Sequence, residues 1–199
     1  MKNYLLANLS IILASFLTCG CTSNNPGSTI VTIQNDDFYI NGVPTLQGME
    51  WKGISMEGLL PNSRMVQGIF DDLNPETEEK WKYPDTDIWD PDRNTNEFIE
   101  AMSDWYDHGL LAFTINLQGG SPEGYSQFQP WINSSYTESG ELRSEFMTRL
   151  EKILDRSDQL GMVTILGLFY FGQDEHLKDE TAIKNAVAQA INWILDKGY

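Results

Sequence analysis

Beyond position 21 the chain has no cysteine; its two, Cys19 and Cys21, both lie near the N-terminus. The rest of the chain can therefore hold neither a disulfide nor a thiolate metal site, and its stability must come from a packed core. Positive charge is also scarce: 13 Lys and Arg stand against 29 Asp and Glu, a formal net charge of −16 at pH 7, and Lys2 is the only cation before Lys52. Such a surface repels phosphate backbones, which argues against general nucleic-acid binding; solubility accounts for the charge, which by itself selects no substrate. There are only 2 histidines and no His-x-His, the pattern that a metal-dependent barrel hydrolase usually wants near its first strand. No Gly-x-Gly-x-x-Gly follows a candidate strand, so the dinucleotide fold lacks its fingerprint. Apolar residues make up 41% and aromatics 12%, the composition of a globular protein.

Residues 1–20 are set aside before any fold reasoning. Lys2 is a small positive region, Leu5 to Leu17 is an apolar run too short for a comfortable membrane span, and Thr18, Cys19, Gly20 and Cys21 follow. This resembles a bacterial lipoprotein signal, in which a Cys after a small residue is lipidated and becomes the mature N-terminus. The resemblance implies lipidation at Cys21, export, and attachment to the cell envelope through a lipid anchor. Thr22 and Ser23 offer no acidic retention signal, so the outer membrane or cell surface is the expected destination. Residues 21–28 read as a flexible tether.

Residues 29–48 read as a small β-hairpin or meander. Thr29 to Gln34 is β-branched and alternating, Phe38 to Ile40 is a second short strand, and Asn41-Gly42 between apolar runs is the strongest short hairpin signal. Pro44 confines the returning piece to an edge. Residues 49–199 then repeat one grammar of helix, glycine, buried strand and polar turn. Thr45 to Trp51 and Arg64 to Phe70 are candidate strands, the second being the candidate first barrel strand. A helix is predicted over 94–109, capped by Thr95 or Asn96, then a strand over Leu110 to Leu117. A helix over 142–160 precedes the run Met-Val-Thr-Ile-Leu-Gly-Leu-Phe-Tyr-Phe at 162–171, and a third helix spans about 181–197. Apolar residues on both alternations of that run predict a strand covered on both faces, with Tyr170 and Phe171 in the core.

Two parallel architectures fit these units. The first turn, Asp71-Asp72-Leu73-Asn74-Pro75, is acidic and hostile to a pyrophosphate, and Gly119-Gly120 opens a long loop instead of a helix. Long, aromatic-rich loops after the first two strands match the functional rim of a (β/α)8 TIM barrel. Such a barrel typically needs about 250 residues. The expected fold class is therefore α/β, a partial TIM barrel of three β/α units preceded by the hairpin, with the fourth strand expected to begin near Tyr199. The loop over 71–92 carries nine carboxylates, but Asp85 to Asp92 lacks the spacing and turn glycine of an EF-hand, so no metal or other cofactor is expected.

The phrase Phe-Tyr-Ile-Asn-Gly-Val-Pro at 38–44, the barrel-type units and the leader together resemble bacterial glycoside hydrolases of the cellulase-like clan. The resemblance implies a carbohydrate substrate and two catalytic carboxylates, one to protonate the leaving oxygen and one to attack the anomeric carbon. In that clan they follow the fourth and seventh strands, so they are expected beyond residue 199, and no catalytic residue is assigned within this chain. The clan's usual Arg after strand two and His after strand three are replaced by Asn116 and Gln118, and by Tyr170 and Gln173. What this chain supplies is a substrate-binding rim. Asn116, Gln118, Gln173 and Asp174 end two strands, and Asp71 and Asp72 follow the first, where they can bond sugar hydroxyls. Tyr125 and Trp131 can stack on pyranose faces or pin the loop to the barrel. Arg64 is expected to pair with an acidic neighbour, and His108 and His176 to be helix-end or surface residues. A non-catalytic surface glycan-binding lipoprotein, and another kind of barrel enzyme, are the alternatives.

Overall fold

The computed structural model describes residues 27–120, 123 and 129–199 of the protein. The leader, most of the tether with Cys21, and Tyr125 lie outside the described residues. The chain opens with an antiparallel meander of β1 (Val31–Gln34), β2 (Asp37–Ile40) and β3 (Val43–Pro44). Asn41 and Gly42 both take positive φ, 53° and 79°, as the two-residue turn requires, and Pro44 sits on the edge strand as anticipated. The meander is moored to the second long helix by Asp158, whose two carboxylate oxygens accept from the backbone N–H of Ser28 and Thr29 at 2.9 and 2.7 Å.

A second hairpin follows where none was expected. The stretch expected as a strand over Thr45 to Trp51 is a turn at 45–48 and then β4 (Glu50–Trp51), paired with β5 (Ile54–Ser55). Lys52 and Gly53 between them have φ of 51° and 78°, so this too is a tight turn that needs left-handed backbone at both central residues.

The main sheet has three parallel strands in chain order: β6 (Asn62–Arg64), β7 (Ala112–Asn116) and β8 (Val163–Gly167). Here the expected first barrel strand is displaced. The run from Arg64 to Phe70 is not extended; the ladder ends at Arg64, and Val66–Ile69 winds into a short 3-10 helix. The cause lies in the next helix, α1 (Pro91–Asp107). Thr95 Oγ1 and Asn94 Nδ2 donate to the carbonyls of Gly68 and Gln67, at 3.2 and 2.8 Å, and the Phe98 ring lies against Gly68 where any Cβ would overlap it. Apolar residues at 65–70 are buried either way, so their hydropathy does not distinguish strand from turn.

Helix α1 begins earlier than expected. Asp90, not Thr95 or Asn96, is the cap: its side chain accepts from Arg93 N and Pro91 occupies the first turn. Helices α2 (Ser144–Leu160) and α3 (Glu180–Lys197) match their expected spans and end at Gly161 and Gly198. α1 and α2 pack against each other and cover one face of the sheet, where Phe98, Met102, Leu150 and Ile153 meet Phe113, Ile115 and Leu117 in the core. The opposite face carries Arg64, Thr114 and Ile165 in register. Ile165 there is 40% exposed, so β8 is covered on one face among the described residues, not on both. The described fold is thus mixed α/β with small sheets, and its parallel sheet is open rather than closed into a barrel.

Candidate functional site

Parallel strands in chain order carry their following loops at one common end, and the predicted polar residues collect there. Asn116 closes β7, Gln118 lies two residues on, and Gln173 and Asp174 follow the adjacent β8. Asn116 is buried at 5% exposure, in space that Gly167 leaves on the neighbouring strand; a Cβ at 167 would collide with the Asn116 amide. Gly119 has φ of 73° and rests on Tyr170, so the chain can turn there only without a side chain.

The loops of this end are cross-braced. Asp72, 3% exposed, accepts four hydrogen bonds: Oδ1 from the N–H of Asn74 and Ile132 at 2.9 and 3.0 Å, Oδ2 from Thr77 Oγ1 and Trp81 Nε1 at 2.6 and 2.7 Å. Its carboxylate is spent on joining the loop after β6 to the loop after β7. Asn133 does similar work, accepting from Asp71 N at 3.1 Å and donating to Gly119 O at 2.7 Å. Asp71 pairs with Arg149 of α2 at 2.6 Å, and that guanidinium is 4% exposed. Burial pushes the Asp71 carboxyl above its usual range, against the opposing pull of Arg149.

Trp131 is 5% exposed, donates its indole N–H to Gln129 Oε1 at 2.9 Å and meets Trp81 edge-on with ring centroids 5.6 Å apart. Trp81 in turn meets Phe70 at 4.8 Å. This is an aromatic column that pins the loop, one of the two roles open to Trp131 in the sequence. Tyr170 is buried while Phe171, also expected in the core, is 44% exposed and stacks on the Tyr170 ring. The Arg64 guanidinium stands 5.5 Å from the centre of the Tyr170 ring, a contact the sequence did not suggest. His108 caps α1, its Nδ1 2.7 Å from the Asp104 carbonyl, and that carbonyl raises its pKa.

A cleft of about 190 Å³ opens between these loops. Gln118 lines it, together with Leu73, Ile132, Ser134, Tyr136, Thr137, Glu138, Arg143, His176 and Leu177. Several of these were not singled out by sequence. Tyr136 and Leu142 bridge across a tight hairpin that presents Glu138 and Arg143, and a short 3-10 turn at Asp174–His176 presents His176. Gln118 is fully buried, yet neither its amide nitrogen nor its oxygen is hydrogen-bonded. Burial drives the Tyr136 phenol far above its usual pKa; the nearby Ser135 hydroxyl offsets a little of this, although neither hydroxyl makes a well-formed hydrogen bond. Gln173 is 1% exposed, with its oxygen also unbonded and its nitrogen 3.5 Å from Gln129 O. Among the described residues no three His, Cys, Asp or Glu side chains gather as metal ligands. The arrangement offers amide, phenol, guanidinium and imidazole donors, with one carboxylate, Glu138, on the wall.

Comparison of the chain with protein-family models, with curated proteins and with solved structures finds no match.

Proposed function

We propose that the C-terminal end of the parallel sheet binds carbohydrate, as the rim of a (β/α)8-barrel glycoside hydrolase whose catalytic carboxylates stand on further strands. The observation that carries this reading is the cleft, with the unbonded Gln118 amide on its wall and Asn116, Gln173 and Asp174 at the same sheet end. Buried amides without partners are rare in folded proteins, and sugar hydroxyls both donate and accept, so they suit such groups. The barrel part of the proposal rests on the chain order of β6, β7 and β8 and on α1 packing against α2 over one face, as successive barrel units do. A non-catalytic glycan-binding protein of the same build is the second reading. It is favoured by one feature: Glu138 is the sole carboxylate among the cleft-lining residues, whereas glycoside hydrolysis needs two.

Asn116→Ala and Gln173→Ala are expected to weaken binding of a soluble oligosaccharide by about 1 kcal/mol each, the ordinary worth of a hydrogen bond, with circular dichroism unchanged. Calorimetric titration across a glycan panel reads this directly. If both variants fold and bind every glycan as the wild type does, the rim is scaffold. Trp131→Ala, in contrast, should act on stability first, because its ring is enclosed by Trp81.

Export with a lipid on Cys21 belongs to the same proposal; among the described residues no helix is long and apolar enough to cross a membrane. Palmitate supplied to growing cells should label the protein and fail to label Cys21→Ser. Equal labelling of the variant would remove Cys21 from the reading.

A further inference from the structure

The cleft holds more unspent polarity than neutral sugar recognition needs. Arg143 donates Nε to the Tyr136 carbonyl at 3.1 Å, and its terminal nitrogens donate to no side chain among the described residues. Glu138, on the same hairpin, engages only through its backbone carbonyl, which accepts from Lys178 N at 2.9 Å; its carboxylate does not pair with Arg143. The His176 ring likewise has no partner among the described residues. Two opposite charges that line one cleft without pairing, beside an unbonded Gln118 amide and Tyr136 phenol, leave donors and acceptors for a ligand. The guanidinium is the informative member. In a chain with 13 cations against 29 anions, Arg143 makes no salt bridge among the described residues; the carboxylate that feels its charge is the exposed Glu145, which lies outside the cleft lining.

We infer that the cleft takes a sugar bearing a carboxylate, a uronic acid residue, with the Arg143 fork and His176 on the carboxylate and Gln118, Tyr136 and Glu138 on the ring hydroxyls. This rests on the carbohydrate reading of the same rim and narrows it. The planar guanidinium with its two terminal nitrogens suits bidentate binding of a carboxylate. Glu138 repels a carboxylate and accepts from hydroxyls, so it selects the orientation in which the acid lies toward Arg143. A volume of about 190 Å³ admits one pyranose ring.

The test is calorimetric titration of the protein with galacturonate and glucuronate, and with galactose and glucose as their neutral counterparts. Uronates should bind about tenfold to a hundredfold more tightly, the worth of a charge-assisted hydrogen bond, and added salt should shrink the difference. Arg143→Gln should abolish the preference, and Arg143→Lys should keep part of it, which guards against a folding defect in the first variant. Gln118→Leu should weaken binding of all four sugars while raising Tm, because it removes a buried amide that has no partner. Binding of the neutral sugars alone, or uronate preference surviving Arg143→Gln in a folded variant, overturns the inference and leaves the carbohydrate reading standing. No binding of any sugar, here or across the glycan panel, overturns both. A lower Tm with unchanged uronate affinity in Gln118→Leu assigns that amide to the scaffold and removes the cleft from the proposal.

Discussion

Asp72→Ala should lower the stability of the protein by about 2–4 kcal/mol, measured by urea unfolding at neutral pH. The estimate follows from four donors losing their acceptor, each partly recovered by water because Thr77, Asn74 and Trp81 are only half-buried. One of the four bonds, from Ile132 N, joins the loop after β7 to the loop after β6, and another holds Trp81 against Trp131, so the two loops should loosen in concert. Leu73 and Ile132 line the cleft, and sugar affinity should therefore fall along with stability. Asp72→Asn should fall between wild type and alanine, because one oxygen survives while the other is replaced by a donor facing the donors of Thr77 and Trp81. The opposite pattern is equally readable. Unchanged unfolding together with lost binding would make Asp72 a ligand for substrate instead of a brace between loops.

Arg149→Met should cost about 3–5 kcal/mol at pH 7, since it leaves Asp71 charged and largely buried without its partner. The cost should depend on pH, and its sign follows from the direction of the Asp71 shift. Burial raises the folded-state pKa above the ordinary 3.8, against the pull of Arg149. A raised carboxyl favours the folded state fully below the unfolded value, and that contribution is lost as pH rises through the folded value. Removing Arg149 takes away the chief opposing cause, so the folded value climbs further and the window widens upward. The variant should accordingly lose much less stability near pH 4 than at pH 7. Equal losses at both values would show that the cost comes from lost packing of the arginine stem, not from a stranded carboxylate. The double substitution Asp71→Asn with Arg149→Met should recover most of the loss.

Neither effect was legible in the sequence. Asp71 and Asp72 follow a candidate strand, a position where acidic residues serve either substrate or scaffold. The scaffold partners, Arg149 and Ile132, are 78 and 60 residues away in the chain. Nothing local marks Arg149 as the only buried arginine of α2; it interrupts the apolar stripe at a place where a solvated cation would look the same. Of the cleft, only Gln118 was visible. Gln118 stands beside Gly119 at a strand end, and that punctuation is local; Gln173 and Asp174, marked by Gly172 in the same way, lie at the same end of the sheet but outside the cleft lining. Glu138, Arg143 and His176 lie in a hairpin and a short turn whose placement depends on the bridges from Tyr136 to Leu142 and from Gln118 to Ser134. Chain-neighbour chemistry carries no trace of such bridges.

By itself the sequence determined the elements whose cause is local. The Asn41-Gly42 turn, the spans of α2 and α3 with their terminal glycines, and the existence of β7 and β8, though not the extension of β8 to Phe171, follow from left-handed backbone at fixed positions and from the 3.6-residue and two-residue periods of burial. The start of α1 has a local cause as well, Asp90 as the cap and Pro91 in the first turn, ahead of the expected Thr95 or Asn96. Tertiary structure alone decided what becomes of groups whose partners are distant. It bent Val66 to Ile69 out of the sheet because Asn94, Thr95 and Phe98 of α1 claim that backbone. It set Trp131 against Trp81, spent Asp72 on its loops, and left Gln118 unbonded in a cleft. Apolar residues and carboxylates gain free energy by burial or hydrogen bonding wherever a partner is found, and only the folded chain fixes which partner that is.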